Sequence, residues 1–230
     1  LARCMHLTPQ QLAVIAHGNL DIPAVPPPPI DPIRLLYFGF IYRGKGIEDL
    51  LNALAKVFAR QPALRKSLSL TLAGGTTAEM TFGNHNNYLQ QLQELIVELK
   101  LESSIQWHLD LPAEEIPTLI QAHHALVLPY RESKKLSLLG VQRGTSGALS
   151  WAAACGRGAI TSDARAFAEE VAGGNGMIFP QGDVDALADR LEELAHQPEL
   201  AMRWAARAAE IGRARRWTET ARHFKHVFIE

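Results

Sequence analysis

Residues 125–163 read ALVLPYRESKKLSLLGVQRGTSGALSWAAACGRGAITSD, and this stretch decides the fold. Ala125-Leu126-Val127-Leu128-Pro129 is short, wholly apolar and ended by proline, the pattern of a strand buried on both faces at the centre of a parallel sheet. A polar loop with Arg131, Lys134 and Lys135 follows, then Gly144-Thr145-Ser146-Gly147, then a run of small residues that closes on Gly156. The order is strand, basic loop, helix and C-terminal glycine.

Such a junction favours an anion. The backbone N–H groups of Ser146, Gly147 and Ala148 open the helix without intrahelical partners and carry the positive end of its dipole. Gly144 and Gly147 leave the main chain open to close approach, and Arg143, with Lys134 and Lys135, adds side-chain charge. The same residues also suit an ordinary strand-to-helix turn, with Ser146 as N-cap and the basic loop solvated.

Outward from this stretch, apolar runs alternate with amphipathic ones. Strands are predicted at 34–40, 68–73, 105–109, 125–129, 159–161 and 176–179. Helices are predicted at 47–60, 88–99, 113–122, 147–155, 164–172, 184–195, 198–214 and from 218 onward. This alternation predicts an α/β fold with a doubly wound parallel sheet of about six strands and helices on both faces. Ligands of such sheets bind beyond the carboxyl ends of the strands. Arg43 and Lys45, in the glycine turn after the first strand, and Gly74, at the end of the second, fall there.

Before the alternation, residues 22–32 contain six prolines and hold neither a helix interior nor a sheet ladder. They predict an extended, loosely attached connector with a domain boundary at about residue 32. Residues 7–12 have helix-start character, and 13–16 read as a short strand ending at His17-Gly18-Asn19.

The chain has 230 residues, 47% of them hydrophobic, enough for a proper core. A formal charge of −1 argues against a broad surface for nucleic acid or membrane, so a basic site must be local and suited to a small anion. Cys4 and Cys155 suggest neither a disulfide framework nor a zinc site, His123 and His124 lack ligand spacing, and no metal is expected. No run approaches a membrane span and no signal peptide is read at the N-terminus, so a cytoplasmic location is expected. A chain that opens at Leu1 is expected to be a piece of a longer protein.

Several motifs together resemble the C-terminal, donor-binding domain of retaining GT-B glycosyltransferases. Val14-Ile15-Ala16-His17-Gly18-Asn19 resembles the family hinge V-I-P-H-G-(I/V)-D. Tyr37-Phe38-Gly39-Phe40 with Lys45-Gly46 resembles F-V-G-R…K-G, and Leu72-Ala73-Gly74-Gly75 resembles V-I-A-G. Residues 125–130 are similar to A-D-V-F-V-L-P-S, Ala154-Cys155-Gly156 to the end of E-A-M-A-C-G, and 176–180 with Asp183 to N-G-L-L-V-P-P-G-D. Arg143-Gly144-Thr145-Ser146-Gly147-Ala148-Leu149 resembles the R-x-S-S-G-A-L form of the loop.

The resemblance implies a hinge and linker over 1–32 and a Rossmann-like nucleotide-sugar-binding domain over 33–230. It implies a nucleoside-diphosphate sugar as donor substrate, bound through Lys45, Arg43, Gly74, Arg143, Ser146, Gly147 and Ala148, with no separate cofactor. It also implies transfer to an acceptor of cell-surface polysaccharide or glycolipid type, an absent N-terminal acceptor domain, inactivity of this chain alone, and membrane association only through that absent domain. His108 and Asp110 follow the third strand, where family members hold the base. Two departures matter. Arg143 and Trp151 stand where the family has paired glutamates for sugar and ribose, and Phe40 stands where it has an arginine. The alternative implied is a non-catalytic nucleotide-binding or interaction module.

Overall fold

The computed structural model describes residues 8, 12–75, 85–132 and 146–229. The apolar run becomes β4 (Ala125–Leu128), buried at every position. It lies between β1 (Ile33–Phe38) and β5 (Gly158–Ser162); β2 (Leu68–Gly74) and β3 (Ile105–Leu109) extend the sheet on one side and β6 (Gly176–Phe179) on the other. The order is β3-β2-β1-β4-β5-β6 with every pairing parallel. A strand covered on both faces needs apolar side chains at consecutive positions, which is why 125–128 shows no alternation.

Helices α1 (Ile47–Arg60), α2 (His85–Glu98), α3 (Ile116–Gln121), α4 (Gly147–Ala154) and α5 (Arg165–Val171) follow the first five strands in turn. After β6 come α6 (Val184–His196), α7 (Glu199–Ala214) and α8 (Trp217–Ile229). α1 packs on α2 and α6, while α4 packs on α3 and α7. Right-handed crossovers running outward from the β1–β4 junction put these sets on opposite faces. α1 buries Leu50, Leu51, Leu54, Val57 and Phe58 at helical spacing. α7 approaches α4 closely because residue 212 is glycine: a β-carbon there would lie 2.2 Å from the Ala153 carbonyl oxygen.

Three sequence expectations are corrected. Residues 13–16 form no strand; Val14 is fully exposed, and the nearest pairing is a lone bridge from Asn19 to Arg216. The helix expected at 113–122 divides into a 3-10 turn (Ala113–Glu115) and the shorter α3, which carries Pro117 in its first turn. The proline-rich connector is extended but not loose. The predicted helix start at 7–12 lies mostly outside the described residues.

Arg157 fastens the connector. It is 1% exposed, and its guanidinium donates to the carbonyls of His123 (2.8 Å), Gln121 (2.7 Å), Cys155 (3.3 Å), Gly156 (2.9 Å), Val25 (2.9 Å) and Pro26 (3.2 Å). Those acceptors lie just beyond α3, at the end of α4 and in the connector, and the ends of the two helices carry partial negative charge that suits a cation. The prolines had signalled an absence of regular structure, but a proline keeps its carbonyl and can be held through it. Arg157→Met should leave several buried carbonyls without donors and cost about 3 kcal/mol, roughly 10 °C in melting temperature. Limited proteolysis should then cut the connector faster.

His123 and His124 are structural groups, as read from the sequence. His123 Nδ1 donates to Leu119 O (2.7 Å), and its Nε2 accepts from Thr71 Oγ1 (2.8 Å), so the ring is neutral. Burial pushes its pKa down to about 4, partly opposed by the Leu119 carbonyl. Arg34 N donates to His124 Nδ1 (2.9 Å), leaving Nε2–H for the Pro28 carbonyl (3.1 Å); burial lowers this pKa too. Below pH ~6.5 an unfolded chain takes up a proton that folded His123 refuses. Stability should therefore fall as pH drops from about 6.5 to about 4, by about 3 kcal/mol through His123. Urea midpoints across that window should show the slope, and His123→Gln should flatten it in part.

Candidate functional site

Strand order reverses between β1 and β4, and a cleft of about 680 Å³ opens beyond their carboxyl ends. Its shape depends on three close backbone approaches. Gly46 precedes α1 with φ +69°, and a β-carbon there would lie 1.8 Å from the Pro129 carbonyl oxygen, so the β1–α1 turn can tuck against the end of β4. Arg131 N donates to Gly44 O (3.2 Å) across the same junction. Gly74, at φ +154°, is equally confined, since its β-carbon would lie 1.8 Å from the Gly39 carbonyl oxygen.

Of the predicted site residues, Lys45, Gly74, Ser146, Gly147 and Ala148 line this one cleft. Lys45 Nζ lies 3.7 Å from the Tyr130 ring centroid and 5.1 Å from that of Tyr42, so a cation is presented against two aromatic faces. Ser146 is the N-cap of α4 in extended geometry and its side chain makes no cap hydrogen bond. A β-carbon on Gly147 would meet nothing within 4 Å among the described residues. Arg43 is not among the lining residues; it turns toward α2, where it bonds Gln91 and lies 5.2 Å from the Tyr88 ring centroid. Arg143, with Lys134 and Lys135, lies outside the described residues.

The cleft also holds Arg131 and Glu132, to which the sequence alone assigns no site. Arg131 lines it, gripped by buried Asp49, with Nε–Oδ2 at 2.6 Å and Nη2–Oδ1 at 2.5 Å. Glu132 is beside it, its N–H donating to Gln181 Oε1 (2.9 Å), and Gln181 N in turn donates to Asp163 Oδ1 (2.9 Å). This brace joins the chain beyond β4, β5 and β6. The signal that would have found Arg131 is a charged residue directly after a strand-ending Pro-Tyr. Asp110 lines the opposite side in the left-handed region at φ 51°, its N–H donating to Gly74 O (3.1 Å).

Aromatic surface dominates the rest, with Phe38, Phe40, Tyr130, Trp151 and Phe167 all on the wall. Phe40 is 44% exposed, and a β-carbon on Gly75 would come within 3.1 Å of its ring. Trp151 takes part in the lining while remaining half-buried against the core. Among the described residues no group of His, Cys, Asp and Glu has the proximity to hold a metal ion, and no helix is long and apolar enough to cross a membrane.

A parallel 3-2-1-4-5-6 sheet with a cleft at its reversal point defines a Rossmann-like α/β domain. Residues 21–211 match the family model of the glycosyl transferases group 1, and the chain belongs to that family. It is 28% identical over 191 residues to a D-inositol 3-phosphate glycosyltransferase of Frankia alni, covering 82% of this chain and 43% of the relative. The chain thus spans less than half the length of that relative. In fold it is similar to Anabaena HepE in complex with UDP (TM-score 0.69, 19% identity, 86% of this chain and 49% of that one). It is also similar to the C-terminal domain of the group 1 glycosyl transferase LpcC from Francisella tularensis (TM-score 0.60, 19% identity, 78% of this chain and 85% of that one).

The glycines divide into two kinds, which single substitutions should separate. Gly46→Ala should destabilise the fold by about 3 kcal/mol, because the side chain meets a backbone carbonyl at a strained φ. Gly147→Ala, whose β-carbon meets nothing within 4 Å among the described residues, should leave the free energy of unfolding, measured by urea titration, within about 0.5 kcal/mol of wild type.

Proposed function

We propose that this chain is the donor-binding domain of a glycosyltransferase that moves a sugar, with retention, from a nucleoside diphosphate to an acceptor of the cell-surface polysaccharide or glycolipid type. The observation that carries the reading is convergence: Lys45 and the open start of α4 at Ser146, Gly147 and Ala148 line one cleft at the switch point. The diphosphate sits there, its charge met by an ammonium and by N–H groups that no intrahelical carbonyl satisfies. Aromatic walls suit the flat base and the apolar face of a sugar ring.

In the transfer, the bond between the anomeric carbon and the diphosphate breaks and negative charge gathers on the departing phosphate. Groups already aimed at that phosphate stabilise the transition state without reorganising. Lys45 supplies full charge, and the α4 N-terminus supplies partial charge. The acceptor is held by a domain outside this sequence, so the chain alone does not turn over, and any membrane association comes through that domain. The relative of Frankia alni and the UDP complex of Anabaena HepE support a sugar nucleotide as the partner.

A second reading is favoured by one observation. Trp151 occupies the cleft wall where the family has a glutamate, and an indole offers only an N–H donor. On this reading the domain binds nucleotide without supporting transfer. Both readings require diphosphate binding, and calorimetry with UDP, GDP and their glucose conjugates tests it. Lys45→Ala should lose on the order of 1.5–3 kcal/mol, a tenfold to hundredfold weaker Kd, and wild-type binding should weaken with added salt. Equal affinity of wild type and Lys45→Ala for every nucleotide would remove the site. Sugar transfer by a chain that includes the acceptor domain separates the first reading from the second.

A further inference from the structure

Four charged side chains line the cleft among the described residues: Lys45, Arg131, Asp110 and Glu132. Arg131 is held at both its main chain and its side chain. Its main chain is tied to the β1–α1 turn through Gly44 O, and one edge of its guanidinium, Nε and Nη2, is occupied by the two oxygens of Asp49. Asp49 belongs to the first turn of α1 and its side chain is 9% exposed, whereas that of Arg131 is 51% exposed. A buried carboxylate therefore grips one edge of a planar cation that is half-exposed and belongs to the cleft lining. Surface ion pairs between two mobile side chains contribute little, but this pair has a rigid half.

We infer that Arg131 is a ligand of the phosphate oxygens in this cleft and that Asp49 is its positioning residue. The inference rests on the nucleoside-diphosphate reading and names the second cation of that site, delivered from the end of β4 rather than from β1. Arg131 and Lys45 approach from adjacent chain segments, since Lys45 directly follows Gly44, whose carbonyl holds Arg131 N. A guanidinium is suited to this task because a planar fork bonded along one edge still presents N–H donors along the other. Asp49 cancels the long-range charge of Arg131, so what Arg131 contributes is directed hydrogen bonding rather than net attraction.

That distinction makes the inference testable. Calorimetry with UDP and with inorganic pyrophosphate, on the 230-residue chain, should show Arg131→Ala weakening both probes about tenfold or more. Arg131→Lys should recover only part of the loss, because an ammonium cannot keep a two-nitrogen grip on Asp49 while reaching the ligand. Asp49→Asn is the decisive variant. It adds one net positive charge beside the cleft, so a purely electrostatic role requires tighter binding, whereas a positioning role requires weaker binding. Thermal melts run alongside establish that each variant is folded, and Arg131→Lys carries the test if the alanine variant does not fold. Unchanged or tighter binding by folded Arg131 and Asp49 variants, with Lys45→Ala still weakened, overturns the inference and leaves the diphosphate reading intact. Failure of wild type to bind either probe overturns both.

Discussion

The contact on which the site depends is the tuck of Gly46 against the Pro129 carbonyl. Strand order reverses at β1 and β4, so the connections leaving these neighbouring strands run to opposite sides and a crevice opens between them. How wide it opens is set by how near the two loops come. A β-carbon at residue 46 would occupy the space of a backbone carbonyl, and only glycine leaves that space free at a positive φ. The close approach delivers Lys45 to the Tyr130 ring and lets Gly44 bond the main chain of Arg131. A larger residue at 46 would separate the two cations that line the cleft.

Much of the fold was legible because its strands and helices announce themselves through burial. A run such as Ala125 to Leu128, apolar at every position, can satisfy its environment only at the centre of a covered sheet. The site was legible where backbone chemistry dictates it: glycines beyond strand ends, and a helix opening at Ser146. The connector was misjudged because its attachment depends on Arg157, more than 120 residues away in sequence, and on carbonyls that every residue possesses. The strand expected at 13–16 failed for a related reason. Apolar residues there find no strand beside them, and propensity without a partner does not make a ladder. Arg131 was read as loop charge because nothing in its own neighbourhood shows that Asp49, on α1, lies beneath it.

The aromatic character of the cleft bears on what the departures from the family motifs mean. A carboxylate recognises sugar hydroxyls by accepting hydrogen bonds, and the motif resemblance puts the family's carboxylates at residues 143 and 151, where an arginine and a tryptophan offer donors only. Asp110 and Glu132 keep carboxylates on the cleft wall, but they come from the ends of β3 and β4 rather than from the α4 region. Carboxylates and aromatic rings thus share the lining, a mixture suited to flat or apolar faces.

α4 joins this site to the connector. Its first residues line the cleft, and the carbonyls of Cys155 and Gly156, directly after its last residue, are held by Arg157 together with those of Val25 and Pro26. The helix is short, eight residues, and α7 is pressed against it through Gly212, so it has little room to bend between these ends. A shift of the connector that moved Arg157 would have to displace α4 as a body or leave buried carbonyls unbonded, and the second course carries a desolvation penalty that the first avoids. The proline-rich segment and the opening of the cleft are consequently joined through one short helix, and the position of Ser146 and Gly147 is tied to the far end of that helix.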